Sequence, residues 1–319
     1  MKPFTHTNAM TVADAGKALS GSGTAVIAGG TDLIGTLKDT ILPDNMHPTS
    51  LVNIKTIPNL DYIREESGTL KIGATTRLAD IAANATVSGK YAALSQAASR
   101  VASPHIRDMG TIRGNISQLH RCLYFRKPGN RFNCVRKGGS TCFAMTGDNR
   151  YHSIFGAVNM CIAVHPSDLA PALIALDASV VTSSRTIPIE QFFDVKNPGN
   201  TVLNAGEIVT EIQVPEPPAG AKSAFLKLAI RKSIDFPIVN AAVRAGGGSP
   251  PRIALNAVAP KPYRAVKAEA ALAGKAINEA SATEAGEAAV ADANSAFAAA
   301  KYKLQIAKTL VKRALMSIA

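Results

Sequence analysis

Four cysteines, Cys122, Cys134, Cys142 and Cys161, fall within a 40-residue window of this 319-residue chain, spaced C-x11-C-x7-C-x18-C. No CxxC pair is present, which disfavours a treble-clef or ribbon zinc site. The spacing also differs from the ferredoxin runs. Spacing alone says that four thiols meet if the loop folds back on itself. Thiols clustered in a chain without an export signal point to metal or redox chemistry rather than structural disulfides. Residues 109–147 contain no Asp or Glu, yet hold Arg113, Arg121, Arg126, Lys127, Arg131, Arg136 and Lys137. Cationic surroundings favour thiolates. A zinc–thiolate and an iron–sulfur centre are both anionic, so charge does not separate them, and buried inert cysteines are the third reading. His120, His152 and His165 lie near in sequence but not at ligand spacing, and read as hydrogen-bonding loop residues.

Two glycine turns are the other chemical signals. AGGTDL at 28–33 directly follows a strand pattern. Paired glycines let backbone approach a ligand and turn N–H groups toward an anion, and Thr31 adds a hydroxyl. A plain tight turn is the alternative. The second turn, Gly110 to Asn115 (GTIRGN), again offers small residues, a hydroxyl, an amide and here a cation. Neither is a GxGxxG fingerprint or a Walker loop. Together, in a chain with a βαβ-like pattern, they suit a dinucleotide pyrophosphate clasped from two sides.

The elements that must position these residues follow from periodicity. Residues 12–19 predict a helix and 24–28 a short buried strand. Residues 69–74 alternate as a strand, and 77–84 continue as an amphipathic helix capped by Thr76. Residues 91–102 read as a helix, and 103–156 as an irregular stretch whose length suggests function. A strand over 160–164, a helix over 169–176 and a strand over 179–182 follow. PEPPAG at 215–220 marks a linker. Beyond it, 223–230, 238–245 and 253–258 alternate as strands of an antiparallel sheet. Residues 265–319 are Ala-rich and helical, with an amphipathic pattern over 304–318.

The apolar content of 46% suffices for a core in two or three subdomains. Trp is absent and aromatics are 5%, which disfavours a stacking platform for single-stranded nucleic acid. No apolar run is long enough for a membrane span, and the N-terminus has no apolar signal core. A cytoplasmic location is expected, with periplasmic export alongside a signal-bearing partner as the alternative. The net charge of +12 fits an acidic protein partner, an anionic surface or simple solubility.

AGGTDL, IRDMGTIRGN and HPSDLAPALIALDA, in that order, resemble the FAD-binding subunits of the xanthine dehydrogenase and carbon monoxide dehydrogenase family. RIALNAVAPKPYRA at 252–265 looks like the start of that family's C-terminal domain. The resemblance implies an α+β fold: a two-subdomain FAD-binding domain of the PCMH type over 1–217, then a small C-terminal domain of antiparallel sheet and helices over 218–319. Carried over by residue, Val26, Ile27, Ala28, Gly29, Gly30, Thr31, Asp32, Leu33 and Ile34 form the first pyrophosphate loop. Gly110, Thr111, Gly114 and Asn115 form the second, with Ala102 beside it. Asp168 matches an aspartate that touches FAD, with helix capping as its other role. Ile208 packs near the flavin. Lys227 matches a lysine near the isoalloxazine, unless it is a surface lysine on a strand edge. Asp235 and Phe236 sit on the ring's far side, although Phe236 reads more readily as core packing. The family usually has Gly where this chain has Arg113. Arg does not reach positive φ as cheaply, so either that backbone is ordinary or the loop is shifted.

A subset of the family carries an inserted loop with a 4Fe-4S cluster, as in 4-hydroxybenzoyl-CoA reductase and periplasmic aldehyde oxidoreductases. The stretch at 121–156 resembles the latter type. The implied ligands are Cys122, Cys134, Cys142 and Cys161, on a loop of about 118–161. The implied role is electron transfer within a heterotrimer, or a dimer of heterotrimers. A large molybdenum-cofactor subunit hydroxylates an aldehyde or heterocycle, and a small subunit holds 2Fe-2S clusters. Electrons then pass through FAD to an external acceptor, with no general acid–base residue here. A stand-alone flavin oxidase, or a basic nucleic-acid-binding protein with a structural metal, are the alternatives.

Overall fold

The computed structural model describes residues 1–294 and 300–319. The first unit is β1 (Thr5–Asn8), α1 (Val12–Leu19), β2 (Thr24–Ile27), α2 (Leu33–Lys38) and β3 (Ser50–Asn53). Its three strands are parallel in the order β1-β3-β2. Thr11 caps α1 by accepting from the Asp14 N–H, and Ala15 and Leu19 turn inward. Parallel pairing leaves the glycine turn after β2 at the carboxyl edge of the sheet, where ligands of α/β sheets bind.

The second unit is a five-stranded antiparallel sheet in the order β4-β5-β8-β6-β7. Its strands are β4 (Ile63–Glu66), β5 (Thr69–Gly73), β6 (Ser179–Thr182), β7 (Thr186–Pro188) and β8 (Val209–Pro215). Between β5 and β6 run α3 (Leu78–Ala83), α4 (Ala85–Lys90), α5 (Ala92–Ser99), α6 (Pro104–Met109), α7 (Ile112–Ser117), the short α8 (Phe143–Thr146) and α9 (Leu169–Ala175). The single-turn α10 (Ile189–Phe192) follows β7. Residues 104–109 and 112–117 are therefore helical, not irregular: six-residue helices are too short to show a period. The cap of α3 is Arg77, and Thr76 instead donates its hydroxyl to the Tyr62 carbonyl at 3.0 Å. The expected strand over 160–164 is absent. Asn159 and Met160 have φ of 48° and 58°, so the chain turns there, leaving only an isolated bridge between Val158 and Cys161.

The third unit is an antiparallel sheet, β12-β11-β10-β9, of β9 (Ala221–Leu228), β10 (Val239–Gly246), β11 (Ser249–Asn256) and β12 (Tyr263–Arg264). It is covered by α11 (Val266–Leu272), α12 (Glu279–Ala288) and α13 (Ala300–Met316). Side chains of β10 alternate between two cores. Ala242 faces the helices of the second unit, and Ala241 and Val243 face α11 to α13. Buried on both faces, β10 is apolar apart from Asn240 and Arg244. Helix α9 is buried along its whole length between the second and third sheets. This arrangement is the mixed helix-and-sheet fold expected. The part of the Ala-rich helical expectation at 295–299 lies outside the described residues. No helix among the described residues is long and apolar enough to cross a membrane.

Candidate functional site

The two glycine turns meet backbone to backbone. A Cβ on Gly29 would lie 1.9 Å from the Met109 carbonyl oxygen, so no side chain fits. Gly30 adopts φ +69°, the left-handed region that glycine enters freely. The second turn is stitched to the strand end at 74–78: Leu78 N–H donates to Gly110 O (2.9 Å), Ile112 N–H to Thr76 O (3.0 Å) and Arg113 N–H to Ala74 O (3.2 Å). Thr111 caps α7 by accepting from the Gly114 N–H. Arg113 sits in the first turn of α7 with ordinary backbone, so this position needs no positive φ.

Two adjoining recesses open beside these turns. The first, about 360 Å³, is walled by the first turn, α7 and Pro198. The second, about 270 Å³, is walled by the second turn, Ala102, Asp168 and the segment Ile234 to Phe236. They share Thr31, Asp32, Thr111, Gly114 and Gln118, forming one elongated cleft. Among residues facing the first recess, the Nε of Arg113 and the Oγ of Ser117 are buried without a hydrogen-bond partner among the described residues. Donors with no protein acceptor, glycines under close approach and an elongated shape fit a dinucleotide such as FAD.

At the far end, Asp168 is buried. Its carboxylate accepts from Lys227 Nζ at 2.6 Å and Asn240 Nδ2 at 2.7 Å. Burial raises the pKa of Asp168, and the Lys227 ammonium and Asn240 amide pull against that rise. Asp168 makes no capping bond. Ser167 does, accepting from Ala170 N–H at 3.1 Å, and Ser167 also donates to Asn115 Oδ1. Lys227 lies on the edge strand β9 yet its side chain is only 3% exposed, because it reaches inward to Asp168 and the Arg100 carbonyl. Phe236 is 45% exposed rather than core, with the Arg121 guanidinium 4.6 Å from its ring centre. Asp235 pairs with Arg231 at the cleft rim.

The cysteine loop folds back on the first glycine turn. Arg121 and Arg126 both reach the Asp32 carboxylate at 2.8 Å, and Leu119 N–H donates to it as well. All four cysteines are free. Cys122, Cys142 and Cys161 share one apolar cluster with Val135 and Val195, and Cys134 joins Cys122 in the next. Cys161 reaches this cluster from a turn, not a strand. Burial pushes the Cys122 thiol up to about 12 and raises Cys134 and Cys161. Arg136, 1% exposed, spans the Lys196 and Gly199 carbonyls and points Nη1 at Cys161 Sγ, 3.7 Å away. Lys137, 2% exposed, has no acceptor for its ammonium among the described residues, and its charge bears on Cys134 and Cys122. His152 Nε2 lies 3.3 Å from Cys122 Sγ. His120 is not the hydrogen-bonded residue expected: neither ring nitrogen has a partner among the described residues, and the ring packs on Phe125. Among the described residues no three His, Cys, Asp or Glu side chains are grouped closely enough to share one metal ion. Cys122 belongs to both clusters, so the four thiols lie in two adjoining apolar patches with Arg136 and Lys137 buried beside them.

Val26, Ile27, Ala28, Gly29, Gly30, Thr31, Asp32 and Leu33 line the cleft, as do Ala102, Gly110, Thr111, Gly114, Asn115 and Asp168. Ile34 and Ile208 do not. Ile34 is exposed on α2, and Ile208 is fully buried in the core behind β2. Lys227 does not line the cleft but contacts Asp168, which does. Ser117, Gln118 and Pro198 line it without having been singled out in the sequence, since a serine, an amide and a loop proline carry no motif.

Residues 2–217 match the model of the FAD binding domain in molybdopterin dehydrogenase, and residues 224–318 that of the CO dehydrogenase flavoprotein C-terminal domain. The chain is 37% identical to the aldehyde oxidoreductase FAD-binding subunit PaoB of Escherichia coli (strain K12) over 287 residues, 85% of this chain and 86% of that one. It is 30% identical to the carbon monoxide dehydrogenase medium chain of Hydrogenophaga pseudoflava, over 92% of this chain and 89% of that one. A chain in a structure of the carbon monoxide dehydrogenase from Hydrogenophaga pseudoflava superposes with a TM-score of 0.76, covering 99% of this chain and 96% of that one. Neither a stand-alone oxidase nor a nucleic-acid-binding protein draws support from this set. A cleft fit for a dinucleotide, matched along its whole domain by a flavin-binding model, means that this chain belongs to the FAD-binding subunits of the molybdenum hydroxylases.

Proposed function

We propose that this subunit carries a 4Fe-4S cluster on Cys122, Cys134, Cys142 and Cys161 beside its FAD, and relays electrons from iron–sulfur centres to an external acceptor. The carrying observation is Lys137. A buried ammonium without an anion is strongly destabilising, and here it faces thiols whose own charge burial suppresses. Thiolates held on a metal centre would answer both demands. Bound flavin supplies exchange of single electrons on one side and pairs on the other. The chain's own residues position it: the glycine turns grip the dinucleotide, Asp168 and Lys227 fix a buried charge pair at one end, and Asp32 ties the cysteine loop to the flavin loop.

In this reading the remaining redox centres lie on other chains: a large subunit with the molybdenum cofactor and a small one with 2Fe-2S clusters. The chain divides at the 215–220 linker into a flavin domain and a C-terminal domain. The aldehyde oxidoreductase relative favours an aldehyde as the substrate of the assembly. The test is electron paramagnetic resonance of the anaerobically purified, dithionite-reduced chain, with and without Cys142→Ser. A reduced-cluster signal lost in the variant, with FAD retained, supports the reading. A parent chain with FAD and no iron signal removes the cluster from it.

A further inference from the structure

One wall of the cleft carries two unpartnered polar side chains that owe nothing to glycine. Arg113 and Ser117 lie four residues apart on α7 and so share one face. Both line the first recess, and the Arg113 Nε and Ser117 Oγ are buried without an acceptor or donor among the described residues. Burial alone moves the Arg113 pKa, down to about 10, and no neighbouring carboxylate opposes it. The acidic residue that does line this recess, Asp32, is already held by Arg121 and Arg126 and does not compete. A partly buried guanidinium with no counter-charge is costly to keep unless a ligand supplies one. Its planar fork suits the oxygens of a phosphate, which it engages in pairs.

We infer that Arg113 and Ser117 form a side-chain grip on the diphosphate of the bound flavin dinucleotide, opposite the backbone of the first glycine turn. This rests on the assignment of FAD to the cleft. A fixed charge adds affinity, makes it dependent on salt, and discriminates FAD from flavins that lack the diphosphate.

The test uses the full chain stripped of flavin, with Arg113→Gln, Arg113→Lys and Ser117→Ala. Binding of FAD, riboflavin and inorganic pyrophosphate is titrated at low and high salt. The grip predicts that Arg113→Gln weakens FAD by roughly tenfold to a hundredfold, with a flatter salt dependence. Arg113→Lys falls between, and Ser117→Ala loses a few-fold. Riboflavin binding stays at the parental level, which also reports that the variants are folded. Pyrophosphate displaces FAD from the parent and not from Arg113→Gln. Parental FAD affinity in Arg113→Gln, or equal losses for FAD and riboflavin, would overturn the grip. A parent that binds pyrophosphate through Arg113 but takes up no FAD would instead sink the cofactor assignment.

Discussion

Asp168 shows how single residues set this cleft. It lies at the start of a fully buried helix, where an exposed aspartate would cap, yet its carboxylate turns to Lys227 and Asn240. Removing one partner leaves a charge uncompensated in the interior. Lys227→Met is therefore expected to destabilise the flavin-free chain by about 3 kcal/mol in urea unfolding, with Asp168→Asn recovering part of that in the double variant. A loss under about 1 kcal/mol would mean the pair is solvated. His165 makes a pH statement. Burial holds its pKa at about 3, against about 6.5 for a free imidazole. The unfolded chain binds the extra proton between those values. The stability His165 contributes is thus complete above about pH 6.5 and drains away as pH falls toward 3. Melting temperatures from pH 7 to 4 should fall less steeply in His165→Gln than in the parent; parallel curves would contradict this.

At the scale of elements, the joints matter more than the helices. Helix α13 locks onto the cysteine loop through Lys303, 2% exposed, whose ammonium donates to the carbonyls of Tyr151, His152 and Ala257. His152 in turn touches Cys122, so the C-terminal helix braces the end of the thiol loop. Lys303→Met leaves three carbonyls without their donor and should cost about 3 kcal/mol in thermal or urea unfolding. Full stability in that variant would show that water replaces the ammonium. Such joints are where the sequence falls silent. The helix at Val12–Leu19 and the strand at Ser179–Thr182 are legible to the residue, because apolar spacing alone decides them. Helices α6 and α7 are not, being six residues long, and the apolar run at 160–164 imitates a strand although Asn159 and Met160 turn the chain. The pairing of Asp32 with Arg126, 94 positions away, leaves no local trace at all.

Over the whole molecule, three sheets and their helices serve to bring two turns from distant parts of the chain into backbone contact. The glycines announce the turns, but not that Gly29 rests on Met109. The cysteine loop was visible as a charge pattern without carboxylates. The structure adds that Arg136 and Lys137, two of those seven cations, are buried against the thiols. A loop whose cations pair with a flavin-loop aspartate links the two proposed cofactor sites.

The most direct measurement is the cofactor content of the chain purified under argon, by flavin extraction and by iron and acid-labile sulfide analysis. The account predicts one FAD per chain, with about four iron and four sulfide beside it. Protein that is folded, colourless and free of both flavin and sulfide would contradict it.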